Sequence, residues 1–293
     1  MSGSPAAEGG VLVSIGLPVY NGANFLRQAA ESLLAQTHRE IELVISDNAS
    51  TDATESICKQ LAATDPRVRY TRLSDNIGAI ANHNRTFELA RGEYFMWSSH
   101  DDIWLPTYVE KCVALLEANH DAVVAYARMG VIDEHGTVLK LADVAHKADS
   151  ASPAIRFTEF TELWSMLEAV YGLMRVDVAR TTPLMRPHPG SDRLLLAELA
   201  LHGRLLQVPE HLYMRREHGG RSVRVQPDIR ARYAWVSGAA AGTRPKPHWD
   251  YCRWYSSAIW RVPNPPRVRI ACTVQMLRWV KNNWRELMLD LKF

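Results

Sequence analysis

Four short apolar runs, separated by stretches of helical periodicity, fill the first hundred residues of this chain and narrow its folds to very few. Val11-Leu-Val-Ser-Ile-Gly-Leu17 is nearly continuous in apolar residues and stops at Pro18, the pattern of a strand buried on both faces. Phe25, Leu26, Ala30, Leu33 and Leu34 then recur at helical spacing, and a second strand runs from Ile41 to Ile45, ending at Asp47. A helix capped by Asp52 follows, with Glu55 placed to complete a capping box. A strand over Val68 to Leu73, a helix over Ile77 to Ala90 and a strand over Tyr94 to Trp97 continue the alternation. Such alternation predicts an α/β fold, a doubly wound sheet flanked by helices, in which ligands bind outside the carboxyl ends of the strands. The loops after those strands are where chemistry belongs.

Beyond residue 104 the pattern loosens but persists. Pro106 opens a helix carrying Val109, Cys112, Val113 and Leu116, and Ala122 to Ile132 is an apolar strand turned by Asp133-Glu-His-Gly136. The polar, aperiodic stretch from Asp143 to Pro153 is expected to be a mobile loop over the site. A helix from Thr158 to Glu168, a strand from Val170 to Met174, a helix from Asp192 to His202 and a strand from Leu205 to Tyr213 complete a second half. The boundaries drawn are a flexible N-terminus over 1–10, an α/β domain over 11–225 in halves 11–104 and 105–225, and a helical, basic, Trp-rich extension over 226–293.

With 47% hydrophobic and 23% charged residues in 293, the composition excludes a disordered or collagen-like chain. Four scattered cysteines signal neither a disulfide framework nor a zinc knuckle, and suit a reducing compartment. No basic residue precedes the first apolar run, and no stretch approaches the roughly 18 apolar residues of a membrane span. The expected location is therefore cytoplasmic, with a peripheral position at the inner face of the membrane as the variant the tail suggests. A net charge of +2 makes nucleic acid a poor partner. The charge is unevenly spread, however, with eight Lys and Arg against two Asp and Glu after residue 250. In that tail Ile270, Val274, Leu277, Trp284, Leu287 or Met288, and Leu291 fall on one face of a helix whose other side carries Arg278, Lys281 and Arg285. The stripe is expected to pack on the α/β domain or on a second subunit, or to rest in a membrane interface.

Three strand ends carry the polar residues of a crevice: Pro18-Val-Tyr-Asn-Gly22, Ser46-Asp-Asn-Ala-Ser-Thr-Asp52 and Ser98-Ser-His-Asp-Asp102. Neither G-x-G-x-x-G after the first strand nor G-x-x-x-x-G-K-[ST] anywhere is present, which removes support for dinucleotide and P-loop readings. The adjacent Asp101 and Asp102 offer hard oxygen ligands suited to Mn2+ or Mg2+, although an acid in that place also caps helices. Asp47 can likewise be a turn residue that bonds its own backbone.

Taken with Asn76-Ile-Gly78, Asn84 and Gly92-Glu-Tyr94, these segments resemble, in order and spacing over residues 11 to 220, the family 2 glycosyltransferases of GT-A fold. The resemblance implies inverting transfer of a sugar from a nucleotide-diphosphate donor, with a divalent metal, to a hydroxyl of a glycan, a lipid-linked or a small-molecule acceptor. It makes residues 11–104 the nucleotide-binding half and 105–225 the acceptor half. Pro18 and Tyr20 would line the nucleotide pocket, with Asn84 also at the nucleotide, and Asp47 would accept a bond from the base edge. Asp101 matches the metal-binding aspartate of the D-x-D signature, whose first place is held here by Ser99, and Asp102 would reach the metal through water or the donor ribose. Asp192 falls where the family places its general base, and Arg216-Glu-His218 resembles its R-x-H segment, making His218 a metal ligand. Two alternatives stand beside this reading: a nucleotidyltransferase, whose glycine-rich basic loop is missing after the first strand, and a catalytically silent nucleotide-sugar-binding protein, which Ser99 would suit.

Overall fold

The computed structural model describes residues 10–142, 147–162, 168–221, 232–233, 236 and 246–292. The expected flexible N-terminus thus lies, except for Gly10, outside the described residues, as does most of 222–245. The first half alternates as its sequence demands: β1 (Val13–Val19), α1 (Leu26–Leu34), β2 (Ile41–Asp47), α2 (Thr54–Thr64), β3 (Val68–Arg72), α3 (Ala79–Glu88) and β4 (Tyr94–Trp97). All seven residues of β1 and all seven of β2 are buried, so these continuous apolar runs are sandwiched between two layers of helix. The N-cap of α2 is Ala53 and carries no side-chain cap; Asp52, one residue earlier, accepts the Thr54 N–H at 3.0 Å, and Glu55 does not close the expected box. Its carboxylate is drawn instead to the cations Lys59, at 2.7 Å, and Arg72, at 3.3 Å.

The second half contributes β5 (Ile103–Trp104), α4 (Tyr108–Glu117), β6 (Ala122–Ile132), β7 (Val138–Leu141), α5 (Pro153–Glu162), β8 (Leu173–Arg175), α6 (Val176–Ala179), α7 (Ser191–His202) and β9 (Arg204–Arg216). Together the nine strands form one mixed sheet in the order β3-β2-β1-β4-β8-β6-β9-β5, with β7 pairing on β6. The strands from β3 to β4 are parallel, β8 runs against its neighbours, and β6 and β9 are parallel again. The sheet separates two cores, visible in β4, where Tyr94 and Met96 face α1 and α4 while Phe95 and Trp97 face α3 and α7. The helix expected to start at Thr158 starts at Pro153, where proline is compatible with a first helical turn.

Of the stretch expected to cover the site, 143–146 lie outside the described residues, and the part that follows is pinned elsewhere. The Ala148 carbonyl accepts the Leu205 N–H at 2.9 Å, and Arg156, buried, donates to the carbonyls of Ser150 and Ala200. These bonds hold 147–152 against the start of β9, at the opposite end of that 13-residue strand from the cleft described below.

After β9 come α8 (Pro247–Arg261), α9 (Pro266–Asn282) and α10 (Trp284–Lys292). They belong to the second core. Tyr251, Tyr255, Ala258 and Ile259 of α8 pack with the leucines of α7, and Arg261 reaches across to Glu198 at 2.6 Å. The tail corrects two expectations. Its single long helix is broken at Asn283, whose backbone N–H and carboxamide both bond the Trp279 carbonyl and end α9. The face of α9 that packs is Cys272, Met276 and Trp279, and the stripe of Ile270, Val274 and Leu277 points outward. Sequence periodicity identifies an apolar stripe, but with apolar residues on two sides of one helix it does not say which side meets the core.

Candidate active site

The carboxyl ends of β1, β2 and β4 are stitched together by their own polar residues. Asn21 and Ala49 take left-handed backbone conformations, φ 51° and 63°, that turn the chain sharply after β1 and β2. Asn21 accepts the Thr51 N–H at 2.8 Å and donates its own N–H to the Ser50 hydroxyl at 2.9 Å, while the Thr54 hydroxyl accepts the Gly22 N–H at 2.9 Å. Above this floor two contiguous hollows open, sharing Pro18, Tyr20, His83 and His100. The smaller is completed by Asn48, Asn76, Ala79 and Asn82. The larger, about 490 Å³, extends past Ser99, Asp101 and Asp102 to Tyr171, His218 and Arg221.

Pro18 and Tyr20 therefore line the cleft as the sequence leads one to expect, Tyr20 being 43% exposed. Asp101 and His218 meet although 117 residues separate them, the imidazole Nε2 lying 2.9 Å from the carboxylate. The Gly220 N–H lies 3.3 Å from His218 Nδ1, on the far side of the ring from Asp101. Phe25 packs against the His218 ring, with centroids 4.8 Å apart. Ser99, in the first place of the D-x-D signature, donates its hydroxyl to Asp101 and so orients that carboxylate.

Asp102 lines the same cleft, but its oxygens are engaged by β9: Tyr213 donates its hydroxyl at 2.6 Å and Arg216 its backbone N–H at 2.8 Å. Burial, reinforced by the neighbouring Asp101 carboxylate, pushes its pKa above the ordinary carboxylate range. Arg216 is 1% exposed, and its guanidinium donates to the carbonyls of Asp101, Asp133 and Glu134 and to the Gln28 side chain while lying over the Phe25 ring. This one side chain ties α1, the β4–β5 turn, the β6–β7 turn and β9 together, and thereby brings His218 to Asp101.

Two other expected residues are occupied by protein partners. Asp47, at 0% exposure, accepts the Ser50 N–H at 2.8 Å and the Tyr70 hydroxyl at 3.0 Å, with Arg72 at 3.5 Å. It sits on the same rim as Asp101, one strand on each side of β1, and it is the next residue, Asn48, that faces the hollow. Asn84, expected at the nucleotide, lines neither hollow. Its carboxamide exchanges two hydrogen bonds with the Met185 backbone, because on α3 it faces the loop before α7 while His83 faces the cleft.

Asp192 opens α7 and accepts the Arg193 N–H at 2.7 Å, the interaction of a helix-start acid. Burial nevertheless raises its pKa, outweighing that bond and the Arg193 charge. It is not among the lining residues, yet Tyr171, which is, feels the charges of Asp102, Asp101 and Asp192 together. The loop before it is built on His188, whose Nδ1 accepts the Gly190 N–H at 3.0 Å and whose Nε2 donates to the Pro247 carbonyl at 3.1 Å. Tyr251, Trp254 and Tyr233 surround that ring edge-on, so the C-terminal extension forms the wall behind the Asp192 loop. Sequence reasoning missed Asn48, His83, His100, Tyr171 and Arg221 as lining residues. Asn48 and His100 stood inside the quoted motifs and Arg221 three residues beyond the R-x-H segment, whereas His83 and Tyr171 carried no local signal.

The sheet order and this acid-lined rim define the GT-A-like class of transferase folds. Residues 14–164, just over half of the chain, match the family model "Glycosyl transferase family 2", and the chain belongs to that family. A Rickettsia felis protein named "Uncharacterized glycosyltransferase" is 40% identical over 144 residues, covering 48% of this chain, and this chain spans 23% of that relative's length. In fold the chain is similar to the Staphylococcus aureus TarS fragment solved in complex with UDP-GlcNAc, with a TM-score of 0.69 at 16% identity over 96% of this chain and 79% of that one. The Pyrobaculum calidifontis mannosyltransferase PcManGT, solved with GDP-Man and Mn2+, superposes with a TM-score of 0.54 at 14% identity over 96% of this chain and 84% of that one. Among the described residues no helix is long and apolar enough to cross a membrane.

Proposed function

We propose that the protein transfers a sugar from a nucleotide-diphosphate donor, a uridine one by preference, to an acceptor hydroxyl with inversion at the anomeric carbon. The observation that carries this is the meeting of Asp101 and His218, from strand ends far apart in sequence, in a hollow continuous with the one under Tyr20 and Asn48. The nucleoside is assigned to the smaller hollow. Pro18, Tyr20 and the Asn48–Asn76 pair line it, with Asp47 bracing that wall from beneath. The diphosphate is assigned to the larger hollow, whose wall includes the guanidinium of Arg221, paired there with Glu217.

A carboxylate beside an imidazole suits Mn2+ or Mg2+. Among the described residues no group of three or more His, Cys, Asp or Glu side chains is placed to hold a metal ion. Asp101 and His218 would hold it, and its chemistry would be to neutralise the diphosphate charge. Asp192 is assigned the general base. Its burial raises basicity against the pull of the α7 dipole, and it would take the proton of the acceptor hydroxyl as that oxygen bonds to the anomeric carbon. The bond from that carbon to the diphosphate breaks in the same step, the electron pair leaving with the nucleoside diphosphate. Glycan, lipid-linked and small-molecule acceptors all present the required hydroxyl.

The test is donor turnover with and without Mn2+. Wild type should release free nucleoside diphosphate, and Asp101→Ala should lower turnover by about 10²–10³-fold and remove metal-dependent donor binding. Asp192→Asn should leave donor affinity intact while stopping transfer. Pyrophosphate as product would instead identify a nucleotidyltransferase, and full activity of either variant removes the corresponding role.

A further inference from the structure

The outward face of α9 and α10 violates the rule that a helix packed on one side is polar on the other. In α9 the packed residues are Cys272, Met276 and Trp279, at 0%, 4% and 4% exposure. Ile270, Val274 and Leu277, spaced four and three residues apart, are 64%, 43% and 66% exposed. At about 100° per residue the two stripes are centred on opposite sides of the helix. The next helix repeats the arrangement: Leu287 is buried, while Trp284 and Met288, one turn apart on the adjoining surface, are 56% and 49% exposed. Scattered exposed apolar side chains are ordinary, but two consecutive helices carrying them at helical spacing form a surface that needs a partner.

The charges select that partner. Arg267, Arg278, Lys281 and Arg285 are exposed, none is ion-paired among the described residues, and α9 carries no Asp or Glu. A two-fold dimer through this face would set those cations against their own copies, with no acid on α9 and the single exposed acid Glu286 on α10 to receive them. Lipid phosphates complement every one of them. Trp284 adds an apolar ring with a polar N–H edge, the amphipathic body favoured at a membrane interface. With α9 at 17 residues and α10 at 9, these helices are suited to lying on a bilayer.

We infer that the outward face of α9 and α10 docks the protein peripherally onto an anionic phospholipid surface. The apolar stripe enters the headgroup region and the flanking cations engage phosphate. Apolar insertion and basic attraction are each marginal alone and effective together. The inference rests on this face and not on the reading of the cleft.

The full chain is floated on a density gradient with phosphatidylcholine vesicles and with vesicles in which roughly one third of the lipid is phosphatidylglycerol. Wild type should float with the anionic vesicles, bind plain phosphatidylcholine at least about tenfold less, and be released as salt is raised. The double variant Leu277→Glu/Trp284→Glu should lose about tenfold or more of the vesicle-bound fraction, and Arg278→Glu/Lys281→Glu should lose the preference for anionic lipid. Unchanged melting temperatures of the variants exclude misfolding as the cause. Wild type that fails to float, or flotation untouched by both double variants, overturns the inference. So does a stable dimer in light scattering that Leu277→Glu dissolves, since the face would then belong to a second copy.

Discussion

The rim at the ends of β1, β2 and β4 and the outer face of the C-terminal helices depart from ordinary packing in opposite ways. At the rim, polar side chains are gathered and almost all answered from within: Asp47, Asp102, Asn84 and Arg216 spend their hydrogen bonds on protein partners. What is left facing the cleft is a short set, chiefly Asp101, His218, His100 and Arg221. At the tail, apolar side chains are gathered and left uncovered. A saturated network rigidifies the rim and aims the few groups that face the cleft, whereas an uncovered stripe has no packing role within the fold. The two proposals follow that difference: a small charged ligand in the cleft, a lipid surface on the tail.

The sharpest way to break this contrast is to remove the hub of the rim. Arg216→Met leaves the Asp101, Asp133 and Glu134 carbonyls and the Gln28 side chain without their donor, and should cost about 3 kcal/mol in urea unfolding. A loss under about 1 kcal/mol would show that the network is not what holds the rim.

The next effect is electrostatic. Burial holds His188 neutral by lowering its pKa from 6.5 to about 4. In that window the unfolded chain binds the extra proton, so stability falls as pH drops from 6.5 toward 4, by up to about 3 kcal/mol from this group. His188→Gln should flatten that part of the acid branch of a melting-temperature profile, and an unchanged profile would remove His188 as the joint between the α7 loop and α8. A smaller cost is expected at Gly190, where an added Cβ would lie 1.6 Å from the Tyr251 hydroxyl. Gly190→Ala should lose about 1–3 kcal/mol, partly restored by Tyr251→Phe in the same chain. The smallest effect lies on the tail face: Leu277→Glu should change stability by less than about 0.5 kcal/mol, because that side chain is already in solvent. A large loss there would mean the outer stripe is core after all.

Much of the first half was legible in the chain itself. Short continuous apolar runs bounded by turn residues read as strands covered on both faces, as Val13–Val19 is, and Pro18, Tyr20 and Asp101 stood out by their places at strand ends. Local pattern fails where one residue has two uses. Asp47 stands at the strand end where it was expected but turns inward to Tyr70 and Ser50, and Asn84 faces Met185 because it follows His83 on α3 by one residue, a rotation of about 100°. Asp192 announced itself as a helix-start acid, but the burial that raises its pKa comes from side chains brought up by packing.

The sequence alone determined the alternation of elements, the rim on which polar residues cluster and the presence of an apolar, basic tail, since periodicity and strand-end composition are local properties of the chain. Tertiary structure decided the rest: that His218 reaches Asp101, that Arg216 is the buried hub between them, and which of two apolar stripes on α9 is covered. Those are relations between residues tens to more than a hundred positions apart, and no short-range pattern encodes which surfaces will be brought together when the sheet closes.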